Sequence, residues 1–303
     1  MKRWPTVSPR VWRAARIVAL IALTAVVMIS LRGVDWSRTG AALREGRPSW
    51  LVAAIVFNSL ILVCWAAYWR LLRPVDERPV SYSRMLEVSS VSSSLMNTLP
   101  FGAGHASSIL LLIRRADTTP RGALSLLALD QLGEGIVKVA VLLTAGLIVP
   151  LPAWIRATLA TVSLVVGAWF VTLIVASRYR RELELLRNAR RSLTALACVI
   201  ATKATELAAI ACVQRAYGVD ISMGGTLLIL ATVILATMLP VAPGNLGAYE
   251  GSVFLTYRYL GVSPELALSM AIVQHVCFML PAIGIGYLFM SAQALSRNAI
   301  ASR

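Results

Sequence analysis

Apolar segments long enough to cross a lipid bilayer recur along almost the whole of this 303-residue chain. A membrane-spanning helix needs about 20 mostly apolar residues, and the segments 50–69, 157–177 and 266–296 contain no Asp, Glu, Lys or Arg. Only 14% of the residues are charged, whereas soluble domains carry about 25%. The sequence therefore predicts an all-α, polytopic membrane helix bundle, with 1–303 forming a single integral membrane domain.

The predicted bundle has about six full membrane spans. The first apolar run follows a basic segment, 1–16, but no small-residue cleavage site comes after it. We therefore interpret this run as an uncleaved span rather than a signal peptide. The expected spans are 17–31, 50–69, 122–149, 153–176, 193–214 and 266–292.

Proline, glycine and polar residues interrupt two of the apolar regions, as NTLPFGAGHASS (97–108) and LPVAPGNLGAYEG (239–251). An offset of 140 places the Leu-Pro pair of the first break on that of the second. An offset of 144 then aligns 119–131 with 263–275. This shared order predicts an internal duplication, with repeat units at about 86–149 and 225–292.

Each break is predicted to be the tip of a re-entrant helical hairpin, at about 86–113 and 225–255. Non-helical backbone is tolerated at membrane depth only where protein buries it or a water-filled cavity receives it. Gly244 and Gly247 can supply the unusual backbone angles, and free N–H and C=O groups at the broken helix ends could bind an ionic headgroup. The alternative is a pair of ordinary tight loops between full spans.

The net charge of +15 follows from membrane orientation rather than from nucleic-acid binding. Basic residues lie at the ends of the apolar runs, as the bias of Lys and Arg toward the cytoplasm predicts, so no nucleic-acid partner is expected. With segment 1–16 and the Arg-rich loop 177–192 in the cytoplasm, twenty basic residues lie inside and seven outside. This orientation makes the two hairpins an inverted repeat. It also predicts the cell (inner or plasma) membrane, with both termini cytoplasmic.

Two stretches carry a resemblance to a known family. LPVAPGNLGAYEGSVFLTYRYLGVSPELALSMAIVQHV (239–276) resembles the C-terminal signature of the lysylphosphatidylglycerol synthase transmembrane-region family, in which a P-G-x-L-G-x-x-E stretch precedes a short helix and a last long helix. NTLPFGAGHASSILLLIRRADTTPRGALSLLALDQLGE (97–134) is similar to its earlier signature. The resemblance covers most of residues 15 to 292 and implies a flippase-like domain that moves lipids between leaflets.

The chain departs from the family pattern at three positions. Gln131 follows Asp130 where the family often has an arginine, and His105 and Ser108 stand where basic and acidic residues are common. The resemblance therefore leaves the lipid headgroup open. About a dozen residues follow the last predicted helix, so the soluble aminoacyl-transferase domain of bifunctional relatives, and with it lysyl-lipid synthesis, is not expected.

Ionisable residues inside the apolar segments are the main candidates for a functional site, because each is costly in hydrocarbon and normally faces the bundle interior or a cavity. Asp130, Glu134 and Lys138 share one helix face at spacings of four residues. Lys203 and Glu206 form a similar pair on the helix at 193–214, and Asp130 or Glu206 is expected to neutralise Lys203. These charges are either structural ion pairs that lock helices together or the lining of a translocation cavity.

Residues at and near the breaks complete the candidate set. Glu250 follows the second break, and His105 lies at the first. His275 occupies the repeat position of Gln131 and is either a packing residue or part of the site. Asn245 either caps a broken helix or contacts a ligand. The candidate lipid-binding residues are Asp130, Glu134, Lys138, Lys203, Glu206, Glu250, His105, Asn245, Gly244, Gly247 and His275.

Enzyme motifs are missing from the sequence: there is no GxSxG, HExxH, P-loop or CxxC. Two histidines do not make a metal site, so no catalytic residue, metal or cofactor is expected. The favoured function is translocation of a polar-headed lipid, or a polyprenyl-linked lipid, through a midplane cavity. One alternative is a non-transporting membrane partner of a glycosyltransferase or lipid synthase. The other is a membrane-embedded transferase that uses Asp130, Glu134 or Glu250 as a base.

Overall fold

A computed structural model describes residues 34–99, 103–176, 188–238 and 242–301. Within these ranges the regular structure is entirely helical, as predicted. The first predicted span, 17–31, the basic segment 1–16 and most of the loop 177–192 lie outside the described residues. The helices are α1 (Trp36–Glu45), α2 (Pro48–Leu72), α3 (Tyr82–Thr98), α4 (Ala103–Arg115), α5 (Pro120–Ile148), α6 (Ala153–Ala176), α7 (Ala189–Ala216), α8 (Met223–Thr237), α9 (Ala248–Tyr259) and α10 (Pro264–Ala301), with a 3₁₀ turn at Pro243–Asn245.

Three of the described helices are long and apolar enough to cross a membrane, namely α2, α7 and the Pro264–Leu295 part of α10. They coincide with the predicted spans 50–69, 193–214 and 266–292. Helices α5 and α6 occupy the places of the predicted spans 122–149 and 153–176. The architecture is therefore consistent with a membrane helix bundle, and the total number of spans stays a prediction.

Short polar caps determine where several of the helices begin. The Thr119 side chain accepts a hydrogen bond from the Gly122 N–H, and Pro120 occupies the first turn of α5, a position where its missing N–H costs nothing. Ser81 and Ser222 cap α3 and α8 in the same way. Such caps satisfy N–H groups that have no partner inside the helix.

The arginine end of the bundle is the end where α2 and α4 finish and α3, α5 and α7 begin. Arg191 donates to the carbonyls of Leu71 at 2.8 Å and Arg73 at 2.6 Å, joining α7 to α2. Arg73 in turn donates to the Ala116 carbonyl at 2.8 Å, joining α2 to the end of α4. Arginine side chains thus hold these helix ends together by satisfying carbonyls that the helices leave free.

The opposite end of the bundle joins α1, the start of α2, the end of α7 and the start of α10. The Arg47 N–H donates to the Ala216 carbonyl at 3.0 Å. Helix α1, which was not predicted, buries Thr39 on one face, and the Ser269 hydroxyl of α10 donates to the Thr39 carbonyl at 3.0 Å. The Ser37 hydroxyl donates to the N-cap carboxylate of Asp35 and lowers its pKa, so this cap is ionised at neutral pH.

Two helical hairpins with opposite directions form the centre of the bundle. Helices α3 and α4 pack together with their open end at the arginine end, whereas α8 and α9 pack together with their open end at the opposite end. The breaks of the two hairpins face each other: a side chain added at Gly244 would lie 3.3 Å from the Asn97 carbonyl oxygen. Residues 100–102 and 239–241, part of each break, lie outside the described residues.

Each hairpin is surrounded by its own hydrophobic core. The core around α3 and α4 includes Trp69, Met85 and Leu112. The core around α8 and α9 includes Leu230 and Tyr257. Helices α5 and α7 contribute to both cores, because one half of each helix lies beside one hairpin and the other half beside the other.

Helix α3 crosses α10 at very short distance. A β-carbon at Gly286 would overlap with the Ser90 carbonyl oxygen. The Ser94 hydroxyl donates to the Ile283 carbonyl at 2.6 Å across the same contact. Small residues on both helices thus allow the backbones to approach, which is a common way for helices to associate in membranes.

We expect Gly286→Ala to destabilise the protein by about 1–3 kcal/mol, because the added methyl group meets backbone that cannot move aside cheaply. Gly284→Ala is the matched control, since nothing lies within 4 Å of a β-carbon at that position. The thermal unfolding midpoints of both variants in detergent would be compared with that of the unsubstituted protein. Equal midpoints for the two variants would contradict the close helix crossing.

Candidate functional site

Asp130 is the most deeply buried carboxylate among the candidates, at 2% exposed. Its Oδ1 atom accepts hydrogen bonds from the indole N–H groups of Trp65 at 3.0 Å and Trp69 at 2.9 Å. The Gln131 amide donates to Oδ2 at 3.3 Å. Helices α2 and α5 are therefore joined at this level by a carboxylate that is held by N–H donors and not by a cation.

Four of the predicted ionisable residues form a continuous chain between α5 and α7. Lys138 Nζ lies 2.9 Å from Glu134 Oε2, and Lys203 Nζ lies 2.9 Å from Glu206 Oε2. The link between the two helices is Lys203 to Glu134, at 4.0 Å. When Asp130, the two glutamates and the two lysines are all ionised, these five groups carry a net charge of −1.

The second break has the backbone geometry that its glycines predict. Gly244 has φ 61° and Gly247 has φ 84°, both in the left-handed region that favours glycine. Asn245 also lies there, with φ 55°, and does not cap a helix: its Oδ1 atom is buried without a hydrogen-bond partner among the described residues. Glu250 performs the capping instead, since its Oε2 atom accepts from the Gly247 N–H at 2.7 Å.

Glu250 also connects the second break to α10. Its Oε1 atom lies 2.8 Å from Nδ1 of His275, and the His275 ring stacks on Tyr249 with 4.2 Å between centroids. His275 Nε2 is buried and has no hydrogen-bond partner within the described ranges. His275 therefore contacts the Glu250 carboxylate through Nδ1 and leaves its other ring nitrogen, Nε2, without a partner among the described residues.

The neighbouring Gln274 is held by two tyrosines. It donates to the Tyr249 hydroxyl at 3.0 Å and accepts from the Tyr257 hydroxyl at 3.2 Å. Polar side chains of α9 and α10 therefore pack together beside the second break.

The described residues at the first break make fewer polar contacts than those at the second. His105 is exposed on α4 and makes no hydrogen bond with a described residue. Ser108 is buried and donates to the carbonyl of Gly104, one turn earlier in its own helix. The side chain of Asn97 donates to the Ser93 carbonyl at 2.9 Å, so the Asn97 backbone, not its side chain, faces the second break.

Of the two alternative partners predicted for Lys203, Glu206 is the one that pairs with it. Asp130 instead accepts hydrogen bonds from Trp65 and Trp69. The Lys203–Glu134 contact between helices was not predicted.

Aromatic residues are the part of the site that the sequence analysis missed. Trp65 and Trp69 are four residues apart and lie on one face of α2, a spacing that could have indicated a shared partner. Tyr249 and Tyr257 lie eight residues apart on α9. The two tryptophans hydrogen-bond to Asp130, and the two tyrosines hydrogen-bond to Gln274. Asp130 and Gln274 occupy equivalent positions in the predicted repeat.

Comparison with known proteins assigns the chain to a family. A family model described as the lysylphosphatidylglycerol synthase TM region matches residues 14–286. This chain belongs to that family. A UPF0104 membrane protein of Methanothermobacter thermautotrophicus is also similar, with 24% identity over 318 residues that cover 89% of this chain and 92% of the relative. Membership of the family, together with the apolar helices, gives the protein a membrane location.

A pair of substitutions at Asp130 separates the role of its hydrogen bonds from the role of its charge. Asp130→Asn keeps an oxygen that accepts from Trp65 and Trp69, so we expect little loss of stability. Asp130→Leu leaves both indole N–H groups without that acceptor and should cost about 1–3 kcal/mol or more. Thermal unfolding in detergent measures both. An Asn variant as unstable as the Leu variant would show that the negative charge, and not hydrogen-bond acceptance, holds α2 to α5.

Proposed function

We propose that the protein moves a polar-headed membrane lipid between the two leaflets of the bilayer, and that it does so without covalent chemistry. The observation that carries this proposal is the contact between the two breaks beside the middle of α10. Met279 lies 3.1 Å from the β-carbon that Gly244 would carry. It is fifteen residues from the beginning and sixteen from the end of the apolar part of α10, Pro264–Leu295.

The lengths of the hairpin helices support a re-entrant arrangement. Helix α4 has 13 residues and α9 has 12, which correspond to about 20 Å and 18 Å at 1.5 Å per residue. The hydrocarbon core is about 30 Å thick, so neither helix crosses it. Since the hairpins open at opposite ends of the bundle, we propose that they enter the membrane from opposite faces and form an inverted repeat.

The charge distribution supports one orientation of this repeat. Arg70, Arg73, Arg114, Arg115 and Arg191 all lie at the arginine end. Basic residues are enriched on the cytoplasmic side of membrane proteins. We therefore propose that the arginine end faces the cytoplasm and that both termini lie there, in the cell membrane.

The polar residues between the hairpins support a path for a headgroup. Interrupted helices that meet at the bilayer midplane form the substrate sites of many transporters. Here the second break lies next to Glu250 and His275, and α5 and α7 carry the Glu134–Lys138 and Lys203–Glu206 pairs within the same bundle. A lipid headgroup that crosses the hydrocarbon needs such partners, because an unsatisfied polar group there costs several kcal/mol.

Two buried polar atoms at the second break have no partner among the described residues, and they indicate which hydrogen bonds a headgroup would have to supply. Asn245 Oδ1 can only accept a hydrogen bond. His275 Nε2 accepts one when Nδ1 carries the proton toward Glu250. A headgroup that donates hydrogen bonds at this position satisfies both atoms.

Removing the ion pair of α5 tests the proposal. We expect the double variant Glu134→Gln with Lys138→Met to lower the rate of leaflet exchange about tenfold or more while the protein still folds, because the path loses charged partners for the headgroup. The measurement is the dithionite accessibility of phosphatidylglycerol with a fluorescent acyl chain, in vesicles that contain the reconstituted protein. Glu250→Gln should have the same effect at the second break, with little change in side-chain volume.

A matched control removes a pair of opposite charges elsewhere. Asp35 and Arg38 form an exposed ion pair at 3.3 Å on α1, and Asp35→Asn keeps a residue that can cap the helix. Asp35→Asn with Arg38→Gln should leave leaflet exchange unchanged. Unchanged exchange in the Glu134/Lys138 and Glu250 variants, with normal thermal stability, would reject the headgroup path and leave these charges as structural pairs.

A further inference from the structure

A groove of about 480 Å³ opens at the arginine end, away from both breaks. It lies between the last turns of α2, the start of α3 and the first turns of α7. Ala67, Leu71 and Cys198 provide an apolar wall, and Arg70 and Arg191 provide two positive charges. The volume lies in the range that is typical of small-molecule sites.

The two arginines differ in how they are held. Arg191 is fixed, because two of its N–H groups bind the carbonyls of Leu71 and Arg73. Arg70 is exposed in the last turn of α2 and makes no hydrogen bond or ion pair with any described residue. A fixed cation beside a free one, with no acidic residue among the lining side chains, gives the groove a positive potential.

Two partly buried acidic residues of the arginine end already have partners. Glu77 pairs with Arg73 at 3.2 Å and accepts from the Thr119 N–H at 2.8 Å. Glu87 pairs with Arg84 at 3.3 Å and with Arg115 at 3.0 Å. The anion that neutralises the groove is therefore not supplied by these side chains.

We propose that this groove binds a phospholipid with a net negative headgroup, taken from the leaflet at the arginine end. Guanidinium groups bind phosphate oxygens well, often through two hydrogen bonds. The apolar wall can contact the upper part of an acyl chain, whereas a small soluble anion would make no favourable contact with it. Tyr82, which donates to the Val63 carbonyl at 2.8 Å, lines the same groove, and tyrosine is enriched at the headgroup level of membranes.

This inference does not depend on the proposed function, because the groove lies at the arginine end and is lined by no described residue of either break. The phosphate of the bound lipid bridges Arg70 of α2 and Arg191 of α7. Together with the Arg191 hydrogen bonds to Leu71 and Arg73, it completes the connection between these two helices at the arginine end.

Cys198 allows the inference to be tested, because its thiol lines the groove. In a variant that keeps Cys198 and carries Cys64→Ala, Cys212→Ala and Cys277→Ala, we expect phosphatidylglycerol to slow alkylation by N-ethylmaleimide in detergent. Phosphatidylcholine and inorganic phosphate should protect much less. Arg70→Gln should raise the phosphatidylglycerol concentration needed for half protection about fivefold, the effect of one basic residue near an anionic surface.

Arg114→Gln is the control for charge. Arg114 is also exposed at the arginine end but does not line the groove, so its removal should leave the protection by phosphatidylglycerol unchanged. Equal protection by phosphatidylcholine and phosphatidylglycerol would overturn the proposal. Protection by inorganic phosphate alone, or an equal effect of the Arg70 and Arg114 substitutions, would overturn it as well.

Discussion

In hydrocarbon, every backbone N–H and carbonyl group needs a hydrogen-bond partner within the protein, since each unsatisfied group costs several kcal/mol. Two helix breaks in one membrane domain are therefore costly unless something covers them. The described structure brings the breaks together: the Asn97 carbonyl faces Gly244, and Met279 of α10 covers the same place. Glu250 satisfies the N–H of Gly247. The Asn97 carbonyl of one hairpin thus lies beside Gly244 of the other, and Glu250 satisfies an N–H group in the break of its own hairpin.

The buried charged side chains also find their partners within the protein. Asp130 is held by two indole N–H groups, and the lysines of α5 and α7 each have a glutamate at 2.9 Å. These contacts join α2, α5 and α7, the helices that surround the hairpins. Two buried polar atoms without a partner among the described residues, Asn245 Oδ1 and His275 Nε2, lie at the second break. Others lie elsewhere, on Arg73, Ser90, Ser92, Ser163 and Gln214, so only the first two bear on the proposed headgroup path.

Local patterns in the sequence predicted helices and the contacts between residues that are close along the chain. The span at 122–149 agrees with α5, Pro120–Ile148, to within two residues, and the four-residue spacing of Glu134 and Lys138 gave a true ion pair. Contacts between segments that are distant in the sequence could not be predicted from such local patterns. No spacing indicates that Lys203 approaches Glu134, and the four-residue spacing of Trp65 and Trp69 does not identify Asp130 as the acceptor that they share. Helix α1 was missed because ten residues, although well capped by Asp35, are too few to give a clear apolar pattern.

The depth of the second break in a bilayer tests the central claim most directly. Leu246 lies within this break and is 62% exposed, so a single cysteine there can carry a fluorophore. Quenching by lipids with nitroxides at known depths would locate that fluorophore, with Ser83 and Tyr259, at the open ends of the two hairpins, as references. We predict that the label at Leu246 lies near the bilayer centre, about 15 Å from either edge of the hydrocarbon core, and that both reference labels lie at headgroup depth. A label at Leu246 that also lies at headgroup depth would show that the break is an ordinary loop between full spans, and would contradict the account.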